Sequence, residues 1–243
     1  MKLRLPNVTL VMIDGTCPAL AKLALQDTLD LVDCGDVLVC SPTDLGVPRW
    51  IKTPSWNDSA GPCAFMWYQL PFLMRTDFAL TISWDNWVID SSMWTDEFLR
   101  YDYIGAPWHY DDGRNVGTGG WLSRRLLTFL AAHKVEFPIL HPSIPFYHPS
   151  DWLVSRHYRP YLEQRGFRWP SEQLASRFMF ETTRPSATSR HFMFHDAFNF
   201  PCVLNAERLA ERVRLMEEIP YFHKKLRELR EGRQAAILPR LAA

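Results

Sequence analysis

Four places along the chain hold side chains suited to chemistry. Asp85 stands in Ile82-Ser83-Trp84-Asp85-Asn86-Trp87, directly after an apolar run. A carboxylate at the end of a strand in an open α/β sheet lies where such sheets bind ligands. Mg²⁺ or Mn²⁺ takes oxygen donors, commonly one or two carboxylates together with substrate phosphates, and Asp85 is suited to be one of them. A turn or cap residue is its plainer use. His195, followed by Asp196, ends Phe192-Met193-Phe194-His195-Asp196. It could complete a metal site with Asp85 or contact a diphosphate, besides serving as a structural hydrogen-bonding group. Asp151 lies in Ser150-Asp151-Trp152 at the start of a helical stretch. That is a helix-cap position, and in a cleft it would suit a general base for a hydroxyl nucleophile. Finally, Gly117-Thr118-Gly119-Gly120 runs into a helical segment. Glycines admit positive φ and close backbone approach to a ligand, and helix N-termini favour anions. Their spacing is not that of a dinucleotide-binding fingerprint.

These groups need elements to position them. Residues 8–13 form a short β-branched apolar run ending at Asp14-Gly15, which predicts a buried first strand and a turn. Residues 19–31 have helical spacing, and 36–40 form a second apolar run. Strand, helix, strand predicts a βαβ unit and a parallel sheet. Residues 42–62 read as a loop, 64–73 as an aromatic-rich helix and 77–83 as a third strand. The glycine block then reads as a loop before a helix over 122–133. Residues 138–149 hold four prolines and must be irregular. Residues 151–164 predict a helix ended by Gly166, and 184–190 a polar loop. A last short strand is predicted over 191–194. Residues 205–232 predict a charged amphipathic helix interrupted at Pro220, its mixed charges forming a solvated face. No linker divides the chain, so residues 1–204 read as one domain and 205–243 as an extension packed on it.

Composition agrees with one sizeable α/β domain: 243 residues, 47% apolar and 22% charged, without a repeat of fixed period. The net charge of zero conceals an asymmetry. Residues 1–112 carry seven Lys/Arg against fifteen Asp/Glu, and residues 113–243 carry twenty against twelve. Most of the positive charge is Arg, suited to forked phosphate contacts, although two opposite halves also simply attract each other. The five cysteines show no metal spacing; with no leader and no apolar run of membrane-spanning length, the expectation is reduced thiols in the cytoplasm. Ten tryptophans are many for this length. Trp84, Trp108 and Trp121 adjoin the motifs above and could line a groove for a sugar ring.

The order of the motifs carries more than any one of them. Trp94-Thr95-Asp96-Glu97-Phe98-Leu99, then Tyr101-Asp102-Tyr103-Ile104-Gly105-Ala106-Pro107-Trp108, then Val116-Gly117-Thr118-Gly119-Gly120-Trp121 resembles an uncharacterised family grouped with GT-A glycosyltransferases. The likeness continues through Ser150-Asp151-Trp152 to Phe194-His195-Asp196 and covers roughly residues 7–202. The glycine block followed by Ser-Arg is also similar to the acceptor-side motif of fringe-like and β1,3-galactosyltransferases. The resemblance implies a Rossmann-like GT-A fold and transfer from a nucleotide-sugar donor, a UDP-sugar first, to an acceptor hydroxyl. It implies that Asp14 and Thr16 border the nucleotide and that Asp85 and His195 hold Mn²⁺ or Mg²⁺ and the diphosphate. Gly117, Gly119 and Gly120 would floor the donor sugar, Arg184 and Arg190 would steady the leaving group, and Asp151 would be the base of an inverting reaction. The implied acceptor is a glycan or lipid-linked sugar, with a hydroxymethylated DNA base as a further possibility. The family's metal motif usually has two carboxylates, whereas Ser83 and Trp84 precede Asp85 here, and Ser150 replaces a Glu. Those departures also fit a non-catalytic module that binds a sugar nucleotide or glycan on a degenerate GT-A scaffold.

Overall fold

The structure is a computed structural model that describes residues 1–56, 60–110, 112–139, 150–181 and 190–231. In chain order the first half comprises β1 (Leu3–Ile13), α1 (Pro18–Leu31), β2 (Val32–Ser41), β3 (Trp50–Lys52), α2 (Ala60–Tyr68), α3 (Leu70–Leu73), β4 (Phe78–Ile82) and β5 (Tyr103–Pro107). It continues with β6 (Val116–Ser123), α4 (Arg124–Ala132), α5 (Ser150–Trp152), α6 (Arg159–Gln164), α7 (Glu172–Phe178), β7 (Met179–Phe180), β8 (Met193–Phe194), α8 (Phe200–Val203), α9 (Ala206–Glu217) and α10 (His223–Glu231).

Six strands form the central sheet in the order β3-β2-β1-β4-β6-β5. The pairings among β3, β2, β1 and β4 are parallel; β6 is antiparallel to both of its neighbours. Helices flank this sheet, and the architecture is α/β and compatible with a Rossmann-like fold. Leu10, Val11 and Met12 of β1 and Leu38, Val39 and Cys40 of β2 are all buried, so both faces of the inner strands are covered. That is why these strands read as continuous apolar runs and not as alternating ones. From β1 the chain passes outward to β2 and β3, then returns to place β4 on the other side of β1. The switch point of the sheet therefore lies between β1 and β4, the place where open α/β sheets take ligands.

Several predicted elements differ from the observed ones. The predicted loop over 42–62 contains the edge strand β3, and α2 and α3 divide the single helix predicted over 64–73. The larger correction concerns the glycine block. Gly117, Gly119 and Gly120 lie inside strand β6 and not in a loop, and the helix begins only at Arg124. The described glycines with positive φ are Gly46, Gly113 and Gly166. The block is glycine for lack of room: a Cβ on Gly117 would come 2.0 Å from the Trp108 ring, and one on Gly120 would come 2.4 Å from Met179. Across the ladder, a Cβ on Gly105 would lie 2.0 Å from the Thr118 carbonyl oxygen.

The charged C-terminal helix also departs from a simple solvated face. Arg212 of α9 is fully buried, its guanidinium 4.7 Å over the Trp87 ring and its Nη2 2.5 Å from Asp27 of α1. Arg208 reaches the same carboxylate. An ion pair out of water is held only by such geometry, and here it fastens the extension to the first βαβ unit. The expected break at Pro220 is present as a turn of 3₁₀ helix.

Gly105→Ala is expected to destabilise the fold by about 1–3 kcal/mol, because two backbones must part to admit one methyl group. A urea unfolding midpoint equal to that of the unsubstituted chain would show that Gly105 does not set the β5–β6 spacing.

Candidate active site

A cavity of about 580 Å³ opens at the switch point. Its walls include Ile13 and Asp14 at the end of β1, Thr81 to Trp84 at the end of β4, Thr118 and Gly119 of β6, Asp151 and His195. That volume lies within the range of small-molecule sites.

Each polar group has a local reason for its place. Asp14 follows β1, and its Oδ1 faces the amides just before α1, 3.4 Å from Thr16 N and 3.5 Å from Cys17 N. Its Oδ2 is buried without a partner among the described residues. Burial raises the Asp14 pKa, the two amides oppose the rise, and the charge of Asp85 adds to it. A buried carboxyl oxygen lacking a partner is suited to a ligand hydroxyl or N–H. Beyond β4, Ser83 and Asn86 exchange backbone hydrogen bonds of 2.9 and 3.2 Å in a tight turn. The turn presents Ser83, Trp84 and Asn86 to the cavity. Asp85 lies behind that wall, where its Oδ1 accepts from the Ser83 hydroxyl at 2.8 Å. Burial raises its pKa, against the attraction of His195 and Lys225.

Asp151 comes from α5, and its Oδ1 accepts from Trp152 N–H at 2.8 Å. Burial, then the negative charge of Glu181, lifts its pKa to about 6. This is the condition of a carboxylate that can take a proton near neutral pH.

Glu181 has no counterpart among the residues singled out from the sequence. Strands β7 and β8 pair in parallel, Met179 opposite Met193 and Phe180 opposite Phe194. The next residue on each strand is Glu181 and His195, so the register alone sets them side by side. Glu181 Oε1 lies 2.7 Å from His195 Nδ1, and its Oε2 accepts from Thr118 Oγ1 at 2.5 Å and Trp108 Nε1 at 3.0 Å. Burial alone would lower the His195 pKa; Glu181 above all, then Asp85 and Asp196, overrides it and lifts the value to about 10. Burial would raise Glu181, and the positive imidazolium with three hydrogen bonds brings it below the ordinary carboxylate value. A sequence signal does exist: Phe-Met-Phe occurs twice, at 178–180 and 192–194, followed by Glu181 and His195 respectively.

The remaining predicted residues are distributed as follows. Thr16 and Gly119 line the cavity, whereas Gly117 and Gly120 pack against Trp108 and Met179 and do not. Arg190 lies away from the cavity walls, paired with Asp90 at 2.7 Å and Ser92 at 2.7 Å. Arg184 is outside the described residues. Of the three tryptophans near the motifs, Trp84 faces the cavity, Trp121 is core, and Trp108 supports Glu181. Trp56, Trp67, Tyr103 and Tyr221 add further aromatic wall.

The donor set for a cation is small. Among the described residues no group of three or more His, Cys, Asp or Glu side chains is arranged to hold a metal. Asp85 and His195 do interact electrostatically, and Glu181 takes the Nδ1 side of the ring, which leaves Nε2 as the ligating nitrogen. Two protein donors completed by substrate phosphates are compatible with Mg²⁺ or Mn²⁺.

Residues 65–193 match the family model described as a protein of unknown function, DUF5672. The match covers more than half of the chain. The chain belongs to the DUF5672 family. No curated protein matches it. The segment matched to DUF5672 contains the β4 turn, Gly119, Asp151 and Glu181, whereas Asp14, Thr16, His195 and Tyr221 reach the cavity from outside it. Among the described residues no helix is long and apolar enough to cross a membrane.

The Glu181–His195 pair has a defined pH window. His195, with its raised pKa, stabilises the fold fully below roughly pH 6.5 and loses that contribution as pH rises through about 10. Glu181, with its lowered pKa, contributes above the ordinary carboxylate range and loses it on acidification. In metal-free protein, Glu181→Gln is expected to bring the His195 titration, followed by imidazole NMR, down toward neutral pH. Identical titration curves in both proteins would remove Glu181 as the group holding that proton.

Proposed function

We propose that this protein transfers a sugar from a nucleotide-sugar donor, a UDP-sugar first, to an acceptor hydroxyl. The reading is carried by one observation: Asp14, Thr16, Gly119, Asp151 and His195, from four separate parts of the chain, line one cavity at the switch point of the sheet. The likeness of the Trp94–Trp121 motifs to GT-A glycosyltransferases supports the choice of reaction.

Asp14, through its unpartnered Oδ2, and Thr16 would meet the nucleoside. Gly119 would admit the sugar close to the strand; a Cβ there would lie 2.6 Å from the Tyr103 hydroxyl. Asp151 would accept the acceptor's proton as the acceptor oxygen bonds to the anomeric carbon. The bond from that carbon to the diphosphate breaks with its electron pair on oxygen, and the nucleoside diphosphate leaves with the configuration inverted. Asp85 and His195, with diphosphate oxygens, would hold Mn²⁺ or Mg²⁺, which when bound neutralises charge on the leaving group. Without the ion, His195 is itself a cation at neutral pH, because Glu181 keeps its proton in place. His195 would then set one positive group against the diphosphate in an otherwise acidic neighbourhood, which suits a charge that grows as the bond breaks. The acceptor would be a glycan or lipid-linked sugar, its rings resting on the aromatic wall of Trp56, Trp84 and Tyr221.

The first test is a thermal-shift screen of UDP-, GDP-, CMP- and dTDP-sugars with and without Mn²⁺. A ligand of the folded state raises the unfolding temperature, and no shift with any nucleotide would end the proposal. With the donor so identified, Asp151→Asn is expected to lower turnover by about 10²–10⁴-fold while donor binding persists. Undiminished turnover would remove Asp151 as base. Because the base must be ionised, kcat/KM is expected to rise through about pH 6 and then level off. A profile flat from pH 5 to 8 would contradict it.

A further inference from the structure

A second cavity, of about 760 Å³, lies at the opposite edge of the sheet. The candidate active site opens beyond the C-terminal end of β4; this one is bounded by Asp77 and Phe78 where β4 begins. The two cavities share no lining residue. Four arginines line it: Arg100, Arg124, Arg125 and Arg168.

Of the two carboxylates in this cavity Asp102 is ion-paired and Asp77 is held by a neutral amide, against four arginines. Asp102 holds Arg125 through two bonds of 3.1 and 2.6 Å, and it also accepts from the Ser123 hydroxyl and the Arg168 amide. Asp77 accepts from the Asn7 side-chain amide at 2.8 Å. Arg100, Arg124 and Arg168 therefore have no carboxylate partner among the described residues. Arg124 is pre-positioned: its Nε donates to the Pro71 carbonyl at 3.1 Å, leaving the two terminal nitrogens.

Four guanidinium groups against two carboxylates give this cavity an excess of positive charge. Arg124 and Arg125 also occupy the first turn of α4, the positive end of its dipole, which has no acidic residue. An anion complements both the charge and the helix end, and a planar guanidinium matches the oxygen spacing of phosphate. The cavity is larger than a phosphate, and Phe78, Leu99 and Tyr101 give it an apolar side for an organic body.

We propose that this cavity is a second ligand site, for the phosphate group of a phosphomonoester. The phosphate would lie between Arg100, Arg124 and Arg168, with Arg125 held behind it by Asp102. The site does not depend on glycosyl transfer, and it assigns a role to part of the excess of arginine in the C-terminal half of the chain.

The test is calorimetric titration of the full chain with glycerol 3-phosphate and with inorganic phosphate, followed in parallel by arginine Nε–Hε NMR signals. Vesicles of phosphatidylcholine with and without phosphatidic acid form the second arm. Saturable binding of the soluble phosphates, weakened about tenfold by Arg100→Ala and again by Arg168→Ala, supports a site for a free metabolite. Binding only to vesicles that contain phosphatidic acid, lost in the same variants, supports the headgroup as the source. Both substitutions fall on exposed side chains with no ion-pair partner to lose, so the fold is retained, which thermal unfolding checks. Absence of binding in both arms overturns the proposal, as does binding unchanged in Arg100→Ala/Arg168→Ala. Binding confined to long duplex DNA, with no response to phosphate monoesters, overturns it too.

Discussion

Two short parallel strands, each of two residues, place a buried glutamate beside a half-buried histidine that faces the cavity. The glutamate is not tolerable there alone, because a buried carboxylate without its partner carries the loss of its hydration. Together they share a proton at 2.7 Å, and Thr118 and Trp108 satisfy the second carboxylate oxygen. The bond joins three parts of the molecule: β6 through Thr118, the turn after β5 through Trp108, and the segment after β8 through His195. The charge at the back of the cavity depends on this arrangement, because Glu181 both keeps His195 positive and raises Asp151.

The neighbourhood is otherwise acidic. Asp14, Asp85, Asp151, Glu181 and Asp196 lie around it, with His195 and Lys225 as the opposing cations. Lys225 comes from α10 and reaches Asp196 at 2.7 Å. Asp196 is the one described residue other than glycine with positive φ, at 76°. Such a backbone costs on the order of 1–3 kcal/mol and persists where the surroundings hold it. Here the holding contacts are the Lys225 ion pair and the Phe198 amide, which fix the chain just after His195. The C-terminal extension is thus part of the site's support: Arg212 anchors α9 to α1, Phe222 packs against Trp84, and Lys225 pins the turn beside the histidine.

The glycine block shows how one residue type serves two needs. Its glycines look like a ligand-binding loop, yet most of their demand comes from inside. Tyr103, Trp108, Met179 and Phe178 press onto β6, and only Gly119 faces the cavity. Large aromatic residues fill the space under the site, so the strand above them has to be nearly bare.

Much of this was determined by the sequence alone. The apolar runs of β1, β2 and β4 are unbroken because both sheet faces are covered, so the parallel α/β core was legible from local pattern. His195 stood out because it follows an apolar run, Asp151 because it starts a helix and Gly119 because it sits in a glycine block, whereas Asp14 was singled out by the resemblance to a family. Tertiary structure decided the rest. Glu181 meets His195 only through the β7–β8 register, and two-residue strands leave no periodicity to detect. The buried state of Arg212 depends on a carboxylate 185 residues away, and the arginine-lined second cavity on four segments that meet at one end of the sheet. Local sequence sets which backbone each segment prefers; which charges share a space without water depends on contacts between distant segments, formed only when the chain closes on itself.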